Sequence, residues 1–370
     1  MRVKMLFLLL MSSLGIAFSA HAQDKKPIDT DDVIRIETQL VDVPLAVVSA
    51  NGTPLKGLKA SDFRVYEDGK TQEIVNFSTT SAPFEVALVL DTSGSARADL
   101  KLIQRAARDF ISSLRPGDRV AVIGYTTERK NGQAYAASEV LSPLTDDRAV
   151  LKTAIDNAKL SNGTPFYDSL LQVAEKVFSQ RAAGEFRGRR ALVALTDGVD
   201  STSAGDFESV KEEFGQIGLI SFFIKVDTRE FFEAGLLGDC ESAIRFSTAQ
   251  IRRYYRSILA KGNMEKAVNF CQLGDFERLA VSKRLYEIAD TEMIELAKSS
   301  GGKVFPVGDL NDTRGAFKSV ADEIGTKYTL GYYPANEKRD GTFRKIKVEA
   351  KGLPAGTIIR SREGYTAPGK

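Results

Sequence analysis

The sequence predicts an α/β protein built on a doubly wound, mostly parallel sheet, flanked by N- and C-terminal β segments and carrying a helical insertion. Three observations predict it. From Phe84 onward, short continuous apolar runs alternate with stretches of helical periodicity, the pattern of buried parallel strands joined by crossover helices. Before them, β-type segments are punctuated by Asn51-Gly52 and Asp68-Gly69, which supply the positive φ angles of two-residue hairpin turns. Between Arg229 and Asp290, a helix-like stretch rich in Arg, Tyr and Leu fills a place where a doubly wound sheet needs only a short link.

The elements follow in order. Arg2 and Lys4, an apolar stretch from Met5 to Ala20, and Ala20-His21-Ala22 match the three parts of a secretory signal, so residues 1–22 are expected to be removed after Ala22. The apolar stretch, about 16 residues, falls short of the roughly 20 that span a bilayer, and no later run approaches that length, so no stable membrane insertion is expected. The mature protein is then expected in the periplasm or outside the cell. A polar linker covers 23–32 and a small β module covers 33–82, with strands at 43–49, 63–67 and 71–77. The α/β core covers 83–326, with strands expected at Val86–Leu90, Val120–Ile123, Ala191–Leu195, Ile220–Val226 and Lys303–Pro306. Leu100, Ile103, Ala107, Phe110, Ile111 and Leu114 recur at helical spacing between the first two, and Pro116-Gly117 stops that helix. The insertion occupies about 229–290. A C-terminal β segment, 327–370, offers strands at 328–333, 343–349 and 357–360, candidates for pairing with the N-terminal module.

Composition excludes several function classes. Without residues 1–22 the chain holds 49 basic and 49 acidic residues, which gives no electrostatic case for nucleic acid or an anionic membrane. Gly188-Arg189-Arg190 and Arg252-Arg253 are accordingly read as solvated charge. The one histidine, His21, lies in the signal, so the mature protein has no Ser-His-Asp or Cys-His device and no His-ligated zinc. The two cysteines, Cys240 and Cys271, both fall in the insertion; an oxidising compartment permits a disulfide, and two buried thiols are the other reading.

The chemistry concentrates at strand ends. Asp91-Thr92-Ser93-Gly94-Ser95 closes the first buried strand, where an open α/β sheet places its functional groups. Asn162-Gly163-Thr164 precedes a helical run, and Leu195-Thr196-Asp197-Gly198 ends another buried strand. Ser93, Ser95 and Thr164 with Asp91 and Asp197 make three hydroxyls and two carboxylates, all hard oxygen donors suited to Mg2+ or Mn2+, with Ca2+ also able to accept them.

This set resembles the metal-ion-dependent adhesion site of von Willebrand factor A (VWA) domains, whose pattern is Asp-x-Ser-x-Ser, a distant loop Thr, and an Asp at the end of a later strand. The likeness spans about 84–325 apart from the insertion. The wider layout, with Glu67-Asp68-Gly69 before the core and Tyr328-Thr-Leu-Gly-Tyr-Tyr-Pro334 after it, resembles the VWFA-related proteins common in acidobacteria. The resemblance implies that the hydroxyls of Ser93, Ser95 and Thr164 contact the metal, with Asp91 and Asp197 acting directly or through water. Few direct anionic ligands leave such an ion electrophilic, with a position for a partner's Asp or Glu carboxylate. The function expected is metal-dependent protein binding, adhesion or scaffolding, and not catalysis.

Two other readings compete. A VWA-type scaffold could bind through its insertion and β modules without metal. A phosphatase-like hydrolase could use Asp91 as a nucleophile, but that chemistry expects an Asp two residues on, where this chain has Ser93. Asp91 and Ser93 also have a plain use as helix caps.

Overall fold

The computed structural model describes residues 40–369 except 52, 80–81, 94–99, 181, 183–185, 260–268 and 309. The signal, the linker, Gly52 and Ser95 therefore lie outside the described residues. The protein is a mixed α/β structure with a central, mostly parallel sheet and flanking β segments.

The chain opens with β1 (Val41–Val48), β2 (Phe63–Glu67), β3 (Lys70–Gln72) and β4 (Ile74–Ser78). Asp68 (φ 47°) and Gly69 (φ 82°) make the expected tight turn between β2 and β3. The core follows as β5 (Glu85–Leu90), α1 (Leu100–Ser113), β6 (Arg119–Lys130), β7 (Gln133–Thr145), α2 (Arg148–Asp156), α3 (Phe166–Gln172), β8 (Arg190–Thr196), α4 (Phe207–Ile217) and β9 (Ile220–Val226). The insertion supplies α5 (Arg229–Leu236), α6 (Thr248–Ile258) and α7 (Asp275–Ser300), and the core closes with β10 (Lys303–Val307) and α8 (Thr313–Ile324). Four strands end the chain: β11 (Tyr328–Tyr332), β12 (Phe343–Ala350), β13 (Ile358–Ser361) and β14 (Gly364–Thr366).

The six-stranded sheet runs β10-β9-β8-β5-β6-β7, parallel throughout except at β7. Strand β5 is buried along its whole length because both faces are covered. Val86, Leu88 and Leu90 pack with Ile103, Phe110 and Phe317 of α1 and α8, while Ala87 and Val89 face Phe166, Leu170 and Val210 on the other side. A continuous apolar run is what a strand covered twice requires. Chain order reverses at β5, which has β6 on one side and β8 on the other, so the crevice at the switch point opens between the ends of β5 and β8.

The N- and C-terminal β segments interleave. Strand β1 lies between β11 and β13 in one four-stranded sheet, and β12 lies between β14 and β2 in another. Val43, Leu45, Phe63, Val65, Leu330, Tyr332 and Ile346 from both sheets form one core. Burial alternates along β2 and the first half of β12, whereas β1 and β11 are buried almost throughout, and the pairing is long-range.

Other features differ from the sequence reading. Strand β6 runs past Ile123 to Lys130 and folds back through Asn131 (φ 52°) and Gly132 (φ 80°) into the antiparallel edge strand β7. Residue 290, drawn as the end of the insertion, falls inside α7, which packs along the core to Ser300. Of the two readings of the cysteines, the disulfide holds: Cys240 and Cys271 are bonded to each other, with Cα atoms 5.3 Å apart.

The reading of Arg189 and Arg190 as solvated charge is corrected. Arg189 is fully buried over the Phe84 ring, 4.2 Å from its centroid, and donates to the carbonyls of Ala82, Pro83 and Lys327. Arg190 pairs with Glu85 at 2.9 Å. Both guanidiniums sit where the core meets neighbouring carbonyls and a carboxylate, which offset the loss of water. In the other pair, Arg252 is exposed but Arg253 is bonded to Glu292 of α7.

Lys327 is also fully buried; it donates to the Gly301 carbonyl and lies 3.6 Å from Glu323. Burial pulls its pKa down from 10.5 to about 8. Between those two values the unfolded chain binds the proton more tightly than the folded one, so stability rises with pH across about pH 8–10.5 and is flat below. Replacing the lysine by an apolar residue of similar length removes this slope. The stability difference between the protein and Lys327→Met, from urea unfolding at pH 7.5, 8.5 and 9.5, is expected to shift in favour of the lysine by about 1–3 kcal/mol. Measurements stay below pH 10, because the raised pKa of Tyr332 has the opposite sign above it. A difference independent of pH would contradict the assignment.

Candidate metal centre

Strand β5 delivers Asp91 and β8 delivers Asp197 to the two sides of the switch-point crevice. The Asp91 amide still belongs to the sheet, donating to the Leu195 carbonyl at 3.0 Å. Its carboxylate is held from both strands: Thr196 Oγ1 donates to Oδ2 at 2.8 Å, and the Ser93 amide donates to Oδ1 at 3.0 Å. The Ser93 hydroxyl also bonds this carboxylate. Thr196 in turn accepts from the Gly198 amide at 2.8 Å, so one hydroxyl bridges the two strand ends.

The Thr164 loop is fixed to the same edge by backbone bonds. Thr92 is fully buried, and its hydroxyl bonds both the amide and the carbonyl of Tyr125 in β6. The Thr92 carbonyl accepts from the Ser161 amide at 2.8 Å. Three residues on, the Thr164 amide donates to Ser201 Oγ at 2.7 Å, and the Ser201 amide returns a bond to the Thr164 carbonyl at 3.0 Å. Gly163 is required between these anchors: a Cβ there would lie 2.7 Å from Thr202 Cγ2. Asp200 completes the frame by accepting from the Phe166 amide at the start of α3 and from the Ser203 amide.

Asp91, Ser93, Thr164 and Asp197 are thus brought to one edge, with Asp91, Ser93 and Thr164 each less than a tenth exposed. Burial pushes the Asp91 carboxyl up. It does the same to Asp197, and the nearby charge of Asp91 adds to it. The groups acting most on the two carboxyls are burial, hydroxyl and amide donors and other carboxylates, with no basic side chain among them. Hydroxyl donors beside two mutually repelling buried carboxylates, with no basic side chain among the strongest influences on either, form a donor set that fits a hard divalent ion. Among the described residues no group of three or more Asp, Glu, His or Cys is arranged for a metal, so a cation at this edge would rest on hydroxyls as much as on carboxylates.

Two further residues escaped the sequence reading. Thr228, two residues past the end of β9, donates its hydroxyl to Asp197 Oδ2, while the Val199 amide donates to Oδ1 at 2.9 Å. Tyr286 of α7 places its hydroxyl 2.8 Å from Thr228 Oγ1. Position beyond a buried strand marks Thr228, but nothing local marks Tyr286, which the long helix brings in from the insertion.

Residues 86–199 match the family profile described as von Willebrand factor type A domain. Over that stretch the chain resembles a VWA domain. All four described candidate ligands fall within the matched stretch, whereas Thr228, Tyr286 and the insertion lie beyond it. The chain is 23% identical over 291 residues to a UPF0353 protein of Nocardia farcinica (strain IFM 10152), covering 78% of this chain and 74% of that one. Similar solved structures include a von Willebrand factor type A protein from Catenulispora acidiphila, at 13% identity with a TM-score of 0.40, covering 90% of this chain and 75% of the other. Another is the conserved hypothetical protein BatB from Bacteroides thetaiotaomicron, at 15% identity with a TM-score of 0.36, covering 65% of this chain and 98% of the other. No helix among the described residues is long and apolar enough to cross a membrane.

Proposed function

We propose that this is an exported binding protein whose VWA domain holds a divalent cation at the switch-point edge and, through it, a carboxylate of a protein partner. The observation that carries the reading is the buried Asp91–Asp197 pair, set among hydroxyl and amide donors and with no basic side chain bonded to either carboxylate among the described residues. Ser93 and Thr164, with Ser95 completing the sequence motif, would hold Mg2+ or Mn2+, and Asp91 and Asp197 would complete the set. When bound, the ion supplies a Lewis-acidic position for an outside carboxylate. The protein's own part is to orient. Thr196 and Ser93 fix Asp91, Thr228 and Val199 fix Asp197, and the Ser161–Ser201 frame fixes Thr164. This is a binding role, not an enzymatic one. Export rests on the Arg2–Ala22 signal pattern.

Thermal unfolding of residues 23–370 with 5 mM MgCl2, MnCl2 or EDTA tests the metal. An ion present at 100 times its Kd stabilises by about 2.7 kcal/mol, which raises Tm by several degrees and is reversed by chelation. An unfolding curve unmoved by either ion contradicts the proposal.

A second reading has its own observation: Phe231 and Phe276 on the insertion are 63% and 92% exposed. Apolar side chains left in water favour a metal-independent contact surface there. Partner binding that survives EDTA decides for it.

A further inference from the structure

We infer that Arg229 is a second anchor for the partner's carboxylate, taking the oxygen that the cation leaves free; the inference rests on the metal reading above. Arg229 is the first residue of α5, at the carboxyl edge of the sheet and one residue after Thr228. A cation is unfavourable there, because the first turn of a helix carries the positive end of the peptide dipoles. The acidic residues beside Arg229 in sequence, Asp227 and Glu230, form no ion pair with it. Among the described residues Arg229 has no carboxylate within ion-pair distance, and its Nε is buried without a hydrogen-bond partner. Its neighbour Asp227 spends Oδ1 on the Arg229 amide. Lys225, the other cation where β9 ends, is already paired with Asp290.

The guanidinium is nevertheless held at the site. It lies over the Tyr286 ring, 5.1 Å from the centroid, and the Tyr286 hydroxyl reaches Thr228, which donates to Asp197. One aromatic ring therefore spans the distance from Arg229 to the candidate ligand set. Burial against an aromatic face keeps the side chain from spreading into solvent, which lowers the entropy lost when a ligand is gripped. A guanidinium presents a planar fork of N–H donors that matches a carboxylate and repays poorly with a neutral amide. The chemistry selects Asp or Glu over Asn or Gln at the contact. Two anchors also fix the plane of the bound carboxylate, which a single metal–oxygen contact leaves free to rotate.

The probes are acetate and its neutral isostere acetamide, titrated into Mg2+-loaded protein of residues 23–370 and followed by amide NMR shifts of the 197–199 and 228–230 backbone. Arg229→Met and Arg229→Lys are measured beside the parent, with the Mg2+ affinity of each taken by calorimetry. Acetate is expected to bind the parent and to bind Arg229→Met at least fivefold more weakly. Arg229→Lys should fall between them, acetamide should leave the shifts unmoved, and Mg2+ affinity should stay within twofold. Equal acetate affinity in the parent and Arg229→Met, with Mg2+ bound to both, overturns the role of Arg229 and leaves the metal centre standing. Absence of Mg2+ binding in the parent overturns the centre and this inference together.

Discussion

Asp91→Ala is expected to abolish saturable Mg2+ binding while leaving a cooperatively folded protein. The carboxylate sits past the last residue of β5, so its removal opens no cavity among Val86, Leu88 and Leu90. Three donors are affected: the Thr196 hydroxyl, the Ser93 amide and the Ser93 hydroxyl each lose their acceptor. An unmet buried donor costs about 1–3 kcal/mol. Against this, the change removes a carboxylate whose burial is itself unfavourable and whose charge acts on Asp197. The two effects partly cancel, so the metal-free Tm should move by only a few degrees. Asp91→Asn keeps an acceptor for Thr196 and should move it less, yet lose the metal as completely, because an amide cannot supply the charge. Calorimetry with Mg2+, paired with urea unfolding in EDTA, checks both halves. Global unfolding of either variant would assign Asp91 a structural capping role.

Glu85→Ala is expected to be the most destabilising change at the opposite edge of the sheet. Glu85 opens β5 with a side chain 5% exposed, and its two oxygens receive Arg119 and Arg190, each at 2.9 Å. Arg190 is itself buried, over the Phe178 ring, with carbonyl contacts from Phe178 and Gln180. Removing the carboxylate leaves that guanidinium buried without a counter-charge, a loss of about 3 kcal/mol, the more exposed Arg119 contributing little. Urea unfolding of Glu85→Ala against the parent reads this directly, and Mg2+ affinity should be retained because the change lies at the far end of the strand. A loss below 1 kcal/mol would show that the carbonyls around Arg190 suffice.

The fold was legible wherever burial imposes a pattern. The all-apolar runs at 86–90 and 191–195 are strands covered on both faces, and they stand out because no polar residue interrupts them; 220–226 reads the same way although Ser221 and Lys225 fall within it. Strand β7 was missed because an edge strand is half exposed; Tyr135 and Glu139 hide its periodicity, and only Asn131-Gly132 announced the hairpin. Arg189 and Arg190 misled for the opposite reason: charge usually marks surface, and nothing near them in sequence reveals the carbonyls and the carboxylate that receive them. The same limit applies at the candidate site. Asp91, Ser93, Thr164 and Asp197 are readable from motif and order, because each ends a strand or precedes a helix. Tyr286 and Arg229 gain their meaning only when α7 crosses the sheet edge, a contact set by packing.

The central claim is a divalent cation at the β5–β8 edge, and calorimetric titration of the mature protein with Mg2+, then Mn2+, tests it most directly. One saturable site in the parent, absent in Asp91→Ala, is the predicted result. Heats of dilution alone with both ions would contradict it.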